Sequence, residues 1–139
     1  MHNVFVYGTL KRGFPNHATG IKLTAFVGRF RTCGRFALVL TGPWYSPVMI
    51  DEPGVGHRVA GEVFALGDAE LGTLDHLEGT HLPSGYHRTH VEVENIETGA
   101  VMKAWTYVKR RAQIEVVLSA PMDEYSIDPR YVPPSRRNM

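Results

Sequence analysis

Val6-Tyr7-Gly8-Thr9-Leu10-Lys11-Arg12-Gly13 breaks off a short apolar run, Val4-Phe5-Val6, and turns at a glycine. Residues 3–7 read as a first strand. A strand that stops at Tyr-Gly-Thr leaves consecutive backbone N–H groups without a ladder partner, and such a nest suits an oxyanion or carboxylate. The pattern is not a phosphate-binding P-loop, because Gly-x4-Gly-Lys-Ser/Thr is missing. Gly8 and Gly13 also fail the Gly-x-Gly-x-x-Gly dinucleotide fingerprint. A glycine after a strand says little alone; its meaning depends on an acid or base elsewhere in the chain. Glu78 is that candidate.

Outward from the first strand, residues 24–32 and 35–40 are β-compatible and are parted by Cys33-Gly34. Tyr45 to Ile50 reads as a short strand closed by Asp51-Glu52-Pro53-Gly54. In Arg58 to Leu66, Val59, Gly61, Val63 and Ala65 share one face, with Glu62 and Phe64 on the other. A helix follows: Asp68 is the expected N-cap, Leu71, Leu74 and Leu77 form the apolar stripe, and Gly79 is the stop. Strands Tyr86–Glu94 and Ala100–Val108 flank a Glu97-Thr98-Gly99 hairpin turn. This order predicts an α+β fold: a small mixed, mostly antiparallel β-barrel with one or two flanking helices. Residues 1–118 form the expected domain. Residues 119–139, with Pro121, Pro129, Pro133 and Pro134, form an irregular tail packed on or beyond it.

At 139 residues the chain can bury a sizeable core without disulfides or metal. Fifteen basic against fourteen acidic residues give no global field for nucleic acid or membrane. The short runs Lys109-Arg110-Arg111 and Arg136-Arg137 read as solvated faces. Cys33 is the only cysteine, so no intrachain disulfide forms. With no signal-peptide or membrane-span pattern, the cytoplasm is the expected compartment. Monomer is the simpler expectation.

Glu78 ends the predicted helix, where the macrodipole disfavours its charge, and desolvation would push it the same way. A carboxyl near neutrality serves as a general base and then as an acid. On local sequence alone, an ordinary surface Glu at a helix end is the commoner case. Cys33 lacks the setting of a nucleophile and reads as a small residue at a strand end. His76, His81, His87 and His90 match no metal-ligand spacing, so no metal is expected. Tyr86, Tyr107 and Tyr125 could orient a polar ligand or simply pack. Thr9 could donate to a carboxylate or cap the turn, and Lys11 could attract an anion or be solvated.

Phe5 to Gly13, continued by Pro15-Asn16-His17, resembles the N-terminal signature of the γ-glutamylcyclotransferase superfamily, closest to its γ-glutamylamine branch. The resemblance extends through Gly61-Glu62-Val63-Phe64, Leu74-Asp75-x-x-Glu78, Tyr86-His87-Arg88-Thr89 and the strand bearing Tyr107. It implies a cofactor-independent enzyme that releases 5-oxoproline and a free amine from a γ-glutamyl amine. In that reading the substrate's own α-amine attacks its γ-carbonyl. The resemblance implies Glu78 as the catalytic acid/base. It implies Tyr7, Gly8, Thr9 and Leu10, with Tyr86 and Tyr107, as the substrate-binding residues. The rival readings are a non-catalytic binder of a small acid or peptide end on the same fold, and an interaction domain in which Gly8 is a plain turn. Ala18 to Val48 and the chain after Lys109 depart most from the pattern and border the expected leaving-group end.

Overall fold

The computed structural model describes residues 1–17 and 25–137. Its strands are β1 (His2–Val6), β2 (Ala25–Thr32), β3 (Leu38–Thr41), β4 (Ser46–Met49), β5 (Ala60–Leu66), β6 (His87–Asn95) and β7 (Val101–Val108). Among the described residues one α-helix runs over several turns, α1 (Asp68–Glu78), after β5. Two short 3-10 turns, Arg111–Gln113 and Pro134–Arg136, complete the described elements. Five strands close into a barrel in the order β1-β5-β2-β6-β7. All neighbours are antiparallel except the closing β7–β1 pair, which is parallel with Val4 opposite Trp105. β3 and β4 form a separate hairpin against this barrel. The α+β, mostly antiparallel barrel expected from the sequence is therefore what the chain forms.

Period-2 alternation sorts the side chains. Phe5, Phe30, Val63, Val91 and Val93 fill the interior, where Leu38, Leu40 and Met49 of the hairpin join them. The other faces of β1 and β5 contribute Val4, Val6, Phe64 and Leu66, which pack against Leu71 and Leu74 of α1 and against Tyr107. Burying both faces of β1 and β5 is what makes Val4-Phe5-Val6 continuously apolar.

Several local expectations need correction. The N-cap is Gly67, not Asp68, and it offers no side-chain cap. Asp68 instead opens the first turn, where its charge suits the dipole and its Oδ1 lies 2.6 Å from His2 Nε2. Leu77 is not core but 48% exposed. Three-residue spacing falls roughly 60° short of a full turn at each step, so the third leucine has rotated off the barrel. The expected strand 35–40 begins only at Leu38, after an isolated bridge between Phe36 and His57. Thr24, the expected first residue of the second strand, lies outside the described residues. Lys11 is neither solvated nor available to an anion: it is 4% exposed, and its Nζ donates to the Tyr125 carbonyl at 2.7 Å. After residue 118 the chain is irregular, yet Tyr125 and Tyr131 are buried.

Candidate active site

The loop after β1, the C-terminal end of α1, the start of β4 and the chain after β7 meet around a cavity of about 670 Å³. That lies within the roughly 300–1,000 Å³ of small-molecule sites. Tyr7, Gly8, Thr9, Leu10, Glu78, Tyr86 and Tyr107 all line it. The structure thus brings together seven residues spread over a hundred positions.

Two glycines make this convergence possible. A Cβ on Gly8 would stand 2.8 Å from Pro47 Cγ, so only glycine lets the loop pass this close to β4. Gly79 closes α1 in the left-handed region at φ 71°. Its N–H donates to His76 O and the Thr80 N–H to Asp75 O, which satisfies the last helical carbonyls. The Glu78 carbonyl then accepts from the Tyr86 N–H at 3.0 Å, which fixes the helix end to the entry of β6.

Loop Gly8–Leu10 is held from behind. The Asn16 N–H donates to Thr9 O, the Asn16 side chain donates to Thr9 Oγ1 at 2.9 Å, and His17 Nδ1 lies 2.9 Å from Leu10 O. Because Thr9 Oγ1 accepts from Asn16, its own proton is left to donate elsewhere. Among the described residues no oxygen accepts from the N–H of Gly8, Thr9 or Leu10. The cavity wall therefore offers a cluster of unused donors.

The three tyrosines play different parts. Tyr7 is buried, its hydroxyl donating to Tyr107 O at 2.6 Å and accepting from Met49 N–H at 3.1 Å. Burial raises its pKa well above 10, so it stays neutral and acts as a strut. The Tyr107 hydroxyl turns to α1 and donates to Asp75 Oδ1 at 2.6 Å, where the Arg88 guanidinium also sits. Tyr86 donates to the carbonyl of Pro47, the residue that abuts Gly8.

Glu78 is partly buried and lines the cavity without a hydrogen-bond partner for its carboxyl among the described residues. Desolvation pushes its pKa from 4.5 up to about 7, against the pull of the Lys109 ammonium. Burial depresses Lys109 below its usual range, while Glu78 draws it back up. Lys109 also lines the cavity, with its Nζ 4.7 Å from the Tyr86 ring centre. Lys109 is therefore not part of a solvated basic run, as its neighbours Arg110 and Arg111 suggest. Its signal was its place two residues beyond Tyr107, which puts both on one face of β7 extended.

The histidines stay out of the site. His76 stacks on His81 with centroids 4.8 Å apart, His90 stacks on Trp105, and His87 Nε2 faces Asp51. Among the described residues no three His, Cys, Asp or Glu side chains converge on a common point. Cys33 is half-buried outside this cavity, in a shallow depression with His90 and Glu92.

A carboxyl near neutrality on the same cavity as unused N–H and hydroxyl donors can exchange protons with a small polar ligand while those donors hold an oxyanion. The family model for Gamma-glutamyl cyclotransferase, AIG2-like, matches residues 4–126, and the chain belongs to that family. It is 43% identical over 101 residues to a Gamma-glutamylaminecyclotransferase of Rattus norvegicus, a match covering 70% of this chain and 66% of that protein. The corresponding protein of Homo sapiens is 41% identical, covering 70% and 65%. These matches span just under two-thirds of each relative. A crystal structure of an AIG2-like protein from Mus musculus superposes with a TM-score of 0.82 at 32% identity, covering 99% of both chains.

Proposed function

We propose that this protein is a γ-glutamylamine cyclotransferase, releasing 5-oxoproline and a free amine from a γ-glutamyl amine with Glu78 as the acid/base. The observation that carries the reading is the Glu78 carboxyl, desolvated to a pKa of about 7 in the cavity whose wall carries the free donors of Gly8–Leu10. Names of the relatives support the substrate class.

The α-amine nitrogen of the glutamyl group bonds to its γ-carbonyl carbon, and the amide bond to the leaving amine breaks. The α-ammonium gives up two protons in forming the lactam, and the leaving nitrogen gains two. Glu78 carries them one at a time, and a carboxyl near neutrality both accepts and returns a proton readily. No protein nucleophile is required. The cavity's task is to bend a flexible chain into attack geometry, which can contribute as much as roughly 7–11 kcal/mol at the limit. Thr9 Oγ1 and the loop N–H groups hold the substrate's α-carboxylate or the developing oxyanion. Tyr7 and Tyr107 act by fixing the walls, and Tyr86 by fixing Pro47.

The test is 5-oxoproline release from γ-glutamyl-ε-lysine by wild type and Glu78→Gln. Expected is turnover by the wild type and its loss in a folded variant. Full turnover by Glu78→Gln removes Glu78 from the mechanism, and binding without amine release by wild type favours a non-catalytic acid binder.

A further inference from the structure

The tail builds a second polar station on the same cavity. Tyr131 is buried and its hydroxyl accepts from the Asn16 side chain at 2.8 Å, tying the tail to the loop after β1. The Val132 N–H donates to Trp44 O at 3.0 Å. Arg137 then reaches the cavity wall, its Nε donating to Val132 O at 2.9 Å and its Nη2 to Ser46 Oγ at 3.3 Å. Its guanidinium lies 5.6 Å from the Trp44 ring centre and 5.8 Å from that of Tyr131.

Most arginines in this chain have a carboxylate: Arg31 and Arg58 share Glu94, Arg111 holds Glu52, and Arg130 holds Asp128. Arg137 has none within 4.0 Å among the described residues, although it is half-buried at a cavity. A guanidinium carries five N–H donors, and two hydrogen bonds leave most of that fork unused. A partly desolvated cation with a free planar fork, braced by aromatic rings, is built to take a carboxylate in two parallel hydrogen bonds. In the cyclotransferase reading the glutamyl end of the substrate lies at Glu78 and the Gly8–Leu10 loop, which line the same cavity, so Arg137 is left to meet the other end. The remaining ligand is the group attached to the leaving nitrogen. Apolar walls from Trp44, Pro43, Ile114 and Pro133 suit an aliphatic stem between the two ends.

We propose that Arg137 is a specificity-determining residue that binds a carboxylate on the leaving amine, so that amines ending in a carboxylate are selected over the same amines without it. This rests on the cyclotransferase reading for its substrate, but its test does not depend on turnover. The probes are γ-glutamyl-ε-lysine and γ-glutamyl-cadaverine, which differ only in the leaving-group carboxylate. Binding of each is measured by calorimetry to Glu78→Gln and to Glu78→Gln carrying Arg137→Leu or Arg137→Lys. The kcat/KM ratio is measured in parallel on proteins with Glu78 intact.

The expected result is a preference for the lysine compound that falls roughly 10- to 100-fold in Arg137→Leu, the range for a charge-assisted pair. In Arg137→Lys, which keeps the charge but not the fork, the fall is smaller. A purely structural role for Arg137 would weaken both ligands together and leave their ratio unchanged. An unchanged ratio, or no preference in the unsubstituted protein, overturns the assignment. If wild type releases no 5-oxoproline from either compound, the enzymatic reading fails, and the binding ratio still decides the role of Arg137.

Discussion

Glu78→Gln offers a test that needs no substrate, because a perturbed carboxyl is also a statement about stability. In the fold the group binds its proton more tightly than in the unfolded chain, at about 7 against 4.5. Between those values folding takes up a proton. This contribution to stability is therefore fully present below pH 4.5, falls as pH rises, and is gone above about 7. At about 1.4 kcal/mol per pH unit the full span corresponds to roughly 3 kcal/mol, and partial exposure of the side chain brings it toward about 2. The attraction of Lys109 is already contained in that net displacement. Gln mimics the neutral acid, so the variant and wild type have similar stability at pH 4.5. By pH 8 the variant is the more stable, by roughly 2–3 kcal/mol. Urea unfolding at half-unit intervals from pH 4.5 to 8.5 measures the difference directly. A stability difference that is flat across this range refutes the desolvated Glu78, and with it the physical basis for its role as a base.

Three further outcomes follow from the same geometry. Lys109→Met removes the cation that holds Glu78 down, so the acid limb of the kcat/KM profile moves to higher pH by on the order of one unit; a limb that stays put or moves down contradicts the pairing. Gly8→Ala forces a methyl to 2.8 Å from Pro47, with an expected loss of roughly 1–3 kcal/mol in urea unfolding and a raised KM for γ-glutamyl-ε-lysine as the loop shifts. Tyr7→Phe leaves the buried Met49 N–H without its acceptor and removes a donor to Tyr107 O; roughly 1–3 kcal/mol of stability goes, and a variant as stable as wild type denies the strut.

The barrel was legible because its strands carry two periods at once: alternation sets the interior in β6, while β1 and the end of β5 are apolar on both faces under α1. The loop and Glu78 were legible as a pair only through resemblance, since locally a Gly after a strand and a Glu at a helix end are both ordinary. Lys11 and Lys109 were misjudged for one reason. Composition treats a lysine as surface, whereas burial depends on which distant segment covers it. Tyr125 covers Lys11, and the cavity encloses Lys109 beside Glu78. Arg137 belongs to the Arg136-Arg137 run that reads as solvated, yet it is half-buried at the cavity, and nothing local marks it for that place. Its neighbours Trp44, Ser46 and Tyr131 belong to segments whose approach to one another no periodicity encodes.

The feature that suits Glu78 to proton transfer also makes its ionisation costly, so the surrounding structure has to hold it in place against relaxation toward water. Two restraints do this from opposite sides. Three residues before Glu78, Asp75 is fixed to β7 by the Tyr107 hydroxyl and to β6 by Arg88. One residue after it, Gly79 lies so close to Gly85 that a Cβ there would fall 1.8 Å from the Gly79 carbonyl oxygen. The carboxyl therefore sits on the last turn of a helix clamped at both flanks. These contacts fix the backbone that carries the carboxyl, so the helix end moves toward water only by breaking the Asp75 contacts or the helix cap. Asp75→Asn separates these restraints from the chemistry. Asn keeps an acceptor for Tyr107 but loses the charge that holds Arg88, so the clamp loosens while Glu78 and its cavity remain. The expected signature is a fall in the apparent pKa of the kcat/KM profile toward the ordinary carboxylate range, as Glu78 gains access to water. A lowered kcat at an unchanged pKa would show that the clamp positions the carboxyl without controlling its solvation.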